Sequence, residues 1–122
     1  MTEKQKTGAL GELIAQNYLR EAGYVVETTG YVYQRAELDI IARQEDTLVF
    51  VEVKTRRGTG YGHPSTAVGP RKEKNMARAA AAYMRKVDHE WAIRFDVIAI
   101  WLHPDGTYAL EHLQDTFFPG LH

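Results

Sequence analysis

The sequence predicts an α/β fold with its elements in the order α-β-β-β-α-β, followed by an extra C-terminal strand. Three observations lead there. Two segments repeat apolar residues at helical spacing, one near residue 14 and one near residue 80. Five runs of strand length are rich in β-branched and apolar residues. Glycine, proline or polar clusters separate these segments where the chain must turn.

The first helix is expected over residues 7–22, ending at Gly23, a residue suited to the left-handed helix terminator. Leu10, Leu13, Ile14 and Tyr18 form its apolar stripe. Gly8, Gly11, Glu12, Ala15 and Leu19 form a second ridge of mostly small side chains. Glycine inside a helix costs about 0.5–1 kcal/mol relative to alanine, so two of them point to close backbone approach by another element. Glu12 on that ridge is then either held near the sheet or an ordinary exposed glutamate.

A first strand spans residues 24–28, and a hairpin follows, with strands at 36–42 and 47–54 joined by the polar Arg43-Gln44-Glu45-Asp46. The glycine-rich stretch Gly58-Thr59-Gly60-Tyr61-Gly62-His63-Pro64 leads to a second helix over residues 70–85, opened by Pro70. Met76, Ala79, Ala80, Tyr83 and Met84 make its inward stripe, and Lys74, Arg78 and Arg85 its outer face. Lys72 falls on the inward stripe at the helix start, where it either snorkels past the core or reaches the site described next. Strands at 93–102 and 107–113 are joined by the turn His103-Pro104-Asp105-Gly106, and Phe117-Phe118-Pro119 is expected to pack as a flap.

The hairpin carries the chemistry. With its turn centred on Glu45-Asp46, paired residue numbers sum to 91, which sets Asp39 opposite Glu52 and Glu37 opposite Lys54. Side chains alternate along a strand, so Glu37, Asp39 and Ile41 share one face, as do Leu48, Phe50, Glu52 and Lys54. Two like charges directly opposite repel unless a cation lies between them. Mg²⁺ prefers about six oxygen ligands and usually keeps several waters. Asp39, Glu52 and a backbone carbonyl such as that of Val53 suit it, with a phosphate oxygen and water completing the shell. Lys54 would orient the attacking water or neutralise the charged phosphorane. The same residues also suit a solvated face with a Glu37–Lys54 cross-strand ion pair, worth about 0.2–1 kcal/mol.

Length and composition fit one small domain of 122 residues. No run approaches the length of a membrane span, so no membrane partner is expected. The opening residues lack an apolar signal core, which leads us to expect a cytoplasmic protein. The absence of cysteine excludes disulfides and thiolate zinc sites but leaves oxygen-ligated metals open. The five histidines lack ligand spacing and read as structural or incidental, His63 alone being placed where it could touch a substrate.

A net charge of −1 conceals an asymmetry. Between Lys54 and Lys86 the basic residues are Lys54, Arg56, Arg57, Arg71, Lys72, Lys74, Arg78, Arg85 and Lys86, against the single acid Glu73. Such an excess beside a phosphate site is the electrostatic footprint of a nucleic-acid binder. A solvated helix face gives the same pattern.

With Asp39 and then Glu52-Val53-Lys54 on consecutive strands, the chain resembles the PD-(D/E)XK nuclease superfamily. More closely, it resembles the small bacterial YraN-like family. The matching stretches are Gly8-Ala9-Leu10-Gly11-Glu12 with Ala15 and Tyr18-Leu19, and Glu37-Leu38-Asp39-Ile40-Ile41. Val49-Phe50-Val51-Glu52-Val53-Lys54-Thr55-Arg56, Lys72 and Arg94-Phe95-Asp96-Val97 complete the set. Ala36 replaces a common glycine, and Gly30 a common asparagine. The resemblance implies a restriction-endonuclease-like core, a mixed β-sheet flanked by two helices, similar to archaeal Holliday-junction resolvases. It makes Asp39 and Glu52 metal ligands, Lys54 the catalytic lysine and Glu12 the helix-borne acid.

These readings converge on an endonuclease dependent on Mg²⁺ or Mn²⁺ that hydrolyses DNA phosphodiesters, branched DNA or recombination intermediates included. Arg56, Arg57, Arg71, Lys72, Lys74 and Arg78 would bind the nucleic acid. A non-catalytic nucleic-acid or protein interaction module on the same fold is the competing reading. A homodimer, or a subunit of a DNA-processing assembly, is compatible with either.

Overall fold

The computed structural model describes residues 1–58 and 68–116. Helix α1 (Glu3–Glu21) precedes strands β1 (Val25–Tyr33), β2 (Ala36–Gln44) and β3 (Thr47–Arg57). Helix α2 (Pro70–Lys86) and strands β4 (Ile93–Leu102) and β5 (Tyr108–Leu113) follow. The five strands form one sheet in the order β1-β2-β3-β4-β5. The β3–β4 pair is parallel and the other three pairs are antiparallel, so the sheet is mixed. The layout matches the expected α/β order. Most of the glycine-rich loop, His63 included, and the Phe117-Phe118-Pro119 tail lie outside the described residues.

Helices cover both faces. Val49 and Val51 of β3 pack in the cluster that contains Ala15 and Leu19 of α1, while Leu48 and Phe50 pack with Met76, Ala79 and Tyr83 of α2. Alternate residues of one strand thus feed opposite cores. β4, an interior strand paired in parallel with β3, is buried continuously from Phe95 to Ile100.

α1 begins four residues earlier than its apolar pattern suggests. The Thr2 hydroxyl accepts the Gln5 N–H at 3.1 Å and the Gln5 side chain accepts the Thr2 N–H at 2.9 Å, a capping box that satisfies two otherwise orphaned donors. The buried face is corrected in part, since Ile14 and Tyr18 of the expected stripe do pack against the core. Leu10 and Leu13 are 41% and 52% exposed, whereas Gly11, Ala15 and Leu19 are buried. Small residues win because the helix backbone lies directly on β3: a Cβ on Gly11 would stand 1.8 Å from Thr55 Oγ1.

β1 is longer than expected because it forms a second hairpin with β2. Gly30 and Asp39 are left out of that ladder, and Gly30 adopts a φ of +59°. Glycine takes this conformation without the steric cost that a Cβ imposes. The pleat breaks there: Leu38 packs beneath α2, whereas Ile40 packs beneath α1. The expected common face for Glu37, Asp39 and Ile41 is therefore not formed.

Asp96, fully buried on β4, ties the β-sheet to α1. It accepts from Arg94 at 2.8–2.9 Å, from His112 Nε2 at 2.7 Å and from the Asp115 N–H at 3.0 Å. His112 Nδ1 meets the Tyr18 hydroxyl at 2.9 Å. Burial raises the Asp96 pKa, but the bonds from His112, Arg94 and Asp115 outweigh it and hold the carboxyl below its usual range. His112 and the buried His89, which meets the Ala92 carbonyl at 2.8 Å, are structural.

Candidate metal centre in a fork of the sheet

The hairpin register is the expected one. Gln44 pairs with Thr47 and Ile40 with Val51, so paired numbers sum to 91. Glu45 absorbs the tight turn with a φ of +55°. Beyond Ile40 and Val51 the strands part. β2 continues beside β1, with Glu37 paired to Val32, and β3 continues beside β4, with Lys54 paired to Ala99. Glu37 therefore does not sit opposite Lys54 in the sheet. At the point of divergence Asp39 Oδ2 accepts the Val53 N–H at 2.8 Å, so a carboxylate takes the place of a ladder carbonyl.

The fork opens into a cavity of about 750 Å³. α1 supplies Lys4, Thr7, Gly8 and Glu12; β2 supplies Asp39; β3 supplies the run from Glu52 to Arg57; and α2 contributes Lys72. Three carboxylates and five cations thus line one cleft. The structure brings Glu12, Asp39, Glu52, Val53, Lys54, Arg56, Arg57 and Lys72 together, as the residue types suggested. Arg71, Lys74 and Arg78 instead line a separate hollow of about 320 Å³ on the outside of α2.

Lys4 and Thr7 were not singled out by the sequence. Thr7 Oγ1 accepts from Arg57 Nε at 2.8 Å. The small-residue ridge runs back through both positions, and the Thr2-to-Gln5 capping pattern signals the extra turn.

The electrostatics favour a cation. Glu52 is 5% exposed, and among the described residues its Oε2 has no hydrogen-bond partner. Burial, reinforced by the Glu52 carboxylate, pushes the Asp39 carboxyl up from 3.8 to about 7, against the Val53 N–H and the Lys72 ammonium; Glu12 adds to the rise. Burial likewise raises Glu12, aided by the charges of Glu37 and Glu52. Burial lowers Lys54, with Lys72 and Arg56 acting in the same direction and Glu52 opposing them. Carboxyls held up by burial and by one another are stabilised when a cation enters.

Lys72 supplies part of that charge. Its Nζ lies 2.6 Å from Glu52 Oε1, although the lysine side chain itself is 52% exposed. Of the two expectations for this residue, reaching into the site is the one realised. Among the described residues, no three His, Cys, Asp or Glu side chains form a ready-made metal cage. The donor set that fits Mg²⁺ or Mn²⁺ is two carboxylates with backbone oxygen and water, a hard-oxygen set typical of Mg²⁺, which keeps much of its water.

The profile of the uncharacterised protein family UPF0102 matches residues 11–100. The chain belongs to this family. It is 44% identical to a UPF0102 protein of Syntrophus aciditrophicus over 96% of this chain and 92% of the relative. Identity to a UPF0102 protein of Chlorobaculum tepidum is 42% over 98% of both chains, and to one of Bacteroides thetaiotaomicron 38% over 99% of both. This is the YraN-like family indicated by the motifs. The stretch matched to UPF0102 contains Glu12, Asp39, Glu52, Lys54 and Lys72. No helix among the described residues is long and apolar enough to cross a membrane.

Proposed function

We propose that this UPF0102 protein is a PD-(D/E)XK-type endonuclease that hydrolyses DNA phosphodiesters with Mg²⁺ or Mn²⁺. The observation that carries the reading is the fork. Asp39 and Glu52 converge where two strands part, Glu52 Oε2 is buried without a partner among the described residues, and Lys54 follows on the same strand. Asp39 and Glu52 would hold the ion, with the Val53 carbonyl and water completing its shell. When bound, such an ion lowers the pKa of a water and stabilises charge developing on phosphate.

The chain's own residues supply the rest. Lys54, whose ammonium loses protons more readily than usual, would orient the attacking water or neutralise charge on the phosphorane. Glu12, whose carboxyl burial raises above its usual range, stands on α1 beside the cleft as a candidate proton acceptor or donor. Arg56, Arg57 and Lys4 rim the cavity and would grip flanking phosphates. The separate hollow of Arg71, Lys74 and Arg78 would engage the strand farther along.

One observation favours a second reading, a non-catalytic nucleic-acid or protein module. Lys72 already stands on Glu52, so the acidic pair could be satisfied without metal.

A cleavage screen over single-stranded, duplex and four-way-junction DNA, with Mg²⁺ and Mn²⁺, separates the two. The wild type should cut at least one substrate. Asp39→Ala and Lys54→Ala should each lose about 10²–10⁴-fold in rate while still binding DNA, because they remove chemistry rather than the basic rim. No cutting by wild type with either metal, or cutting by Asp39→Ala at the wild-type rate, overturns the enzyme reading.

A further inference from the structure

We propose that Lys72 is an exchangeable cation: it neutralises Glu52 in the metal-free protein and transfers its ammonium to a substrate phosphate when metal enters. The inference rests on the metal-centre reading above and adds a function for α2, the coupling of metal occupancy to nucleic-acid grip.

Two geometric facts carry it. Lys72 Nζ is 2.6 Å from Glu52 Oε1, while the second oxygen of the same carboxylate is buried with no partner among the described residues. The carboxylate is thus only half satisfied, and a divalent ion bound to it would stand beside an ammonium of like charge. That repulsion drives the lysine off. The lysine can leave without repacking, because its side chain is about half exposed and sits in the first turn of α2. Its four-carbon stem lets a compact charge swing through several ångströms. Swung outward it meets the cavity rim formed by Lys4, Arg56 and Arg57, where a phosphate backbone would lie.

In the metal-free protein Lys72 is engaged by Glu52 and contributes little to nucleic-acid affinity. In the metal-bound protein it is released and contributes a phosphate contact. By linkage, metal and nucleic acid then strengthen each other's binding.

The test uses Lys72→Met and Lys72→Arg in the intact protein, with folding checked by circular dichroism. Mn²⁺ affinity is measured by electron paramagnetic resonance without DNA. Lys72→Met should bind Mn²⁺ about fivefold more tightly than wild type, because a competing partly exposed ion pair is gone. Lys72→Arg should stay near wild type. DNA affinity is then measured with and without Ca²⁺, as a metal chosen to hold the complex without cutting. Lys72→Met should match wild type in the absence of Ca²⁺ and bind more weakly in its presence. A plain phosphate contact would instead weaken binding equally in both conditions, and that result overturns the exchange. Equal Mn²⁺ affinity in wild type and Lys72→Met overturns it too, yet leaves the metal centre standing. Failure of every protein to bind Mn²⁺ overturns both.

Discussion

Replacing Asp39 with asparagine removes one charge from the fork and keeps its shape, since the amide oxygen can still accept the Val53 N–H now held at 2.8 Å. In the native protein the carboxyl titrates near 7 instead of 3.8, because burial and the Glu52 carboxylate oppose its ionisation. At low pH both native and unfolded chains carry the protonated acid, so the group contributes no difference. Between 3.8 and about 7 the unfolded chain ionises while the native protein does not, and stability falls with rising pH through that window. At 1.36 kcal/mol per pH unit the full effect is on the order of 4 kcal/mol. Water entering around the ionised pair trims it, so Asp39→Asn should be about 2–4 kcal/mol more stable than wild type at pH 8. The gap should shrink to about 1 kcal/mol at pH 4.5. Urea unfolding followed by far-ultraviolet circular dichroism at the two pH values measures both. Excess Mg²⁺ at about 100 times its Kd should recover about 2.7 kcal/mol for wild type and much less for the variant. Equal or lower stability of Asp39→Asn at pH 8, or parallel pH dependence of the two proteins, would refute the argument that burial and the Glu52 carboxylate oppose ionisation of Asp39 in the fork.

Two further outcomes test the surroundings of the site. Gly11→Ala should destabilise the protein by about 1–3 kcal/mol, although the same change in an isolated helix stabilises it, because the new Cβ meets Thr55 at 1.8 Å; chemical denaturation showing a more stable variant would remove the close approach of α1 to β3. Arg78→Ala should flatten the log–log salt dependence of DNA binding by about one unit with little change in sequence preference, and an unchanged slope for both Arg78→Ala and Lys74→Ala would detach the outer hollow of α2 from nucleic acid.

Much of the fold was legible because its signals are local. Pro70 opens α2, and the polar Arg43–Asp46 stretch sets the hairpin turn and with it the register that brings Asp39 next to Glu52. The buried face of α1 was misjudged at Leu10 and Leu13, though not at Ile14 and Tyr18, for a physical reason. Periodicity ranks positions by apolarity, so it chose Leu10 and Leu13, whereas close helix–strand contact selects by size and buries Gly11 and Ala15. The alternation expected along β2 failed at Asp39 because the pleat breaks opposite a glycine with positive φ, and no two-residue period anticipates that.

Local chain order supplied the side chains and, through a tight turn, set which two carboxylates would meet. Tertiary structure alone decided that β2 and β3 would part beyond those carboxylates, since the separation depends on β1 and β4 claiming the two strands from opposite sides. It also decided that Lys72, twenty residues from Glu52, would close on one carboxylate oxygen and leave the other without a partner among the described residues. Arg71, two residues into the same helix, points to a different hollow. Chain-local patterns specify the pitch of a helix and the pleat of a strand. Which helix face meets which strand end is set by packing across the whole sheet, where burial, charge and close contact must be satisfied together.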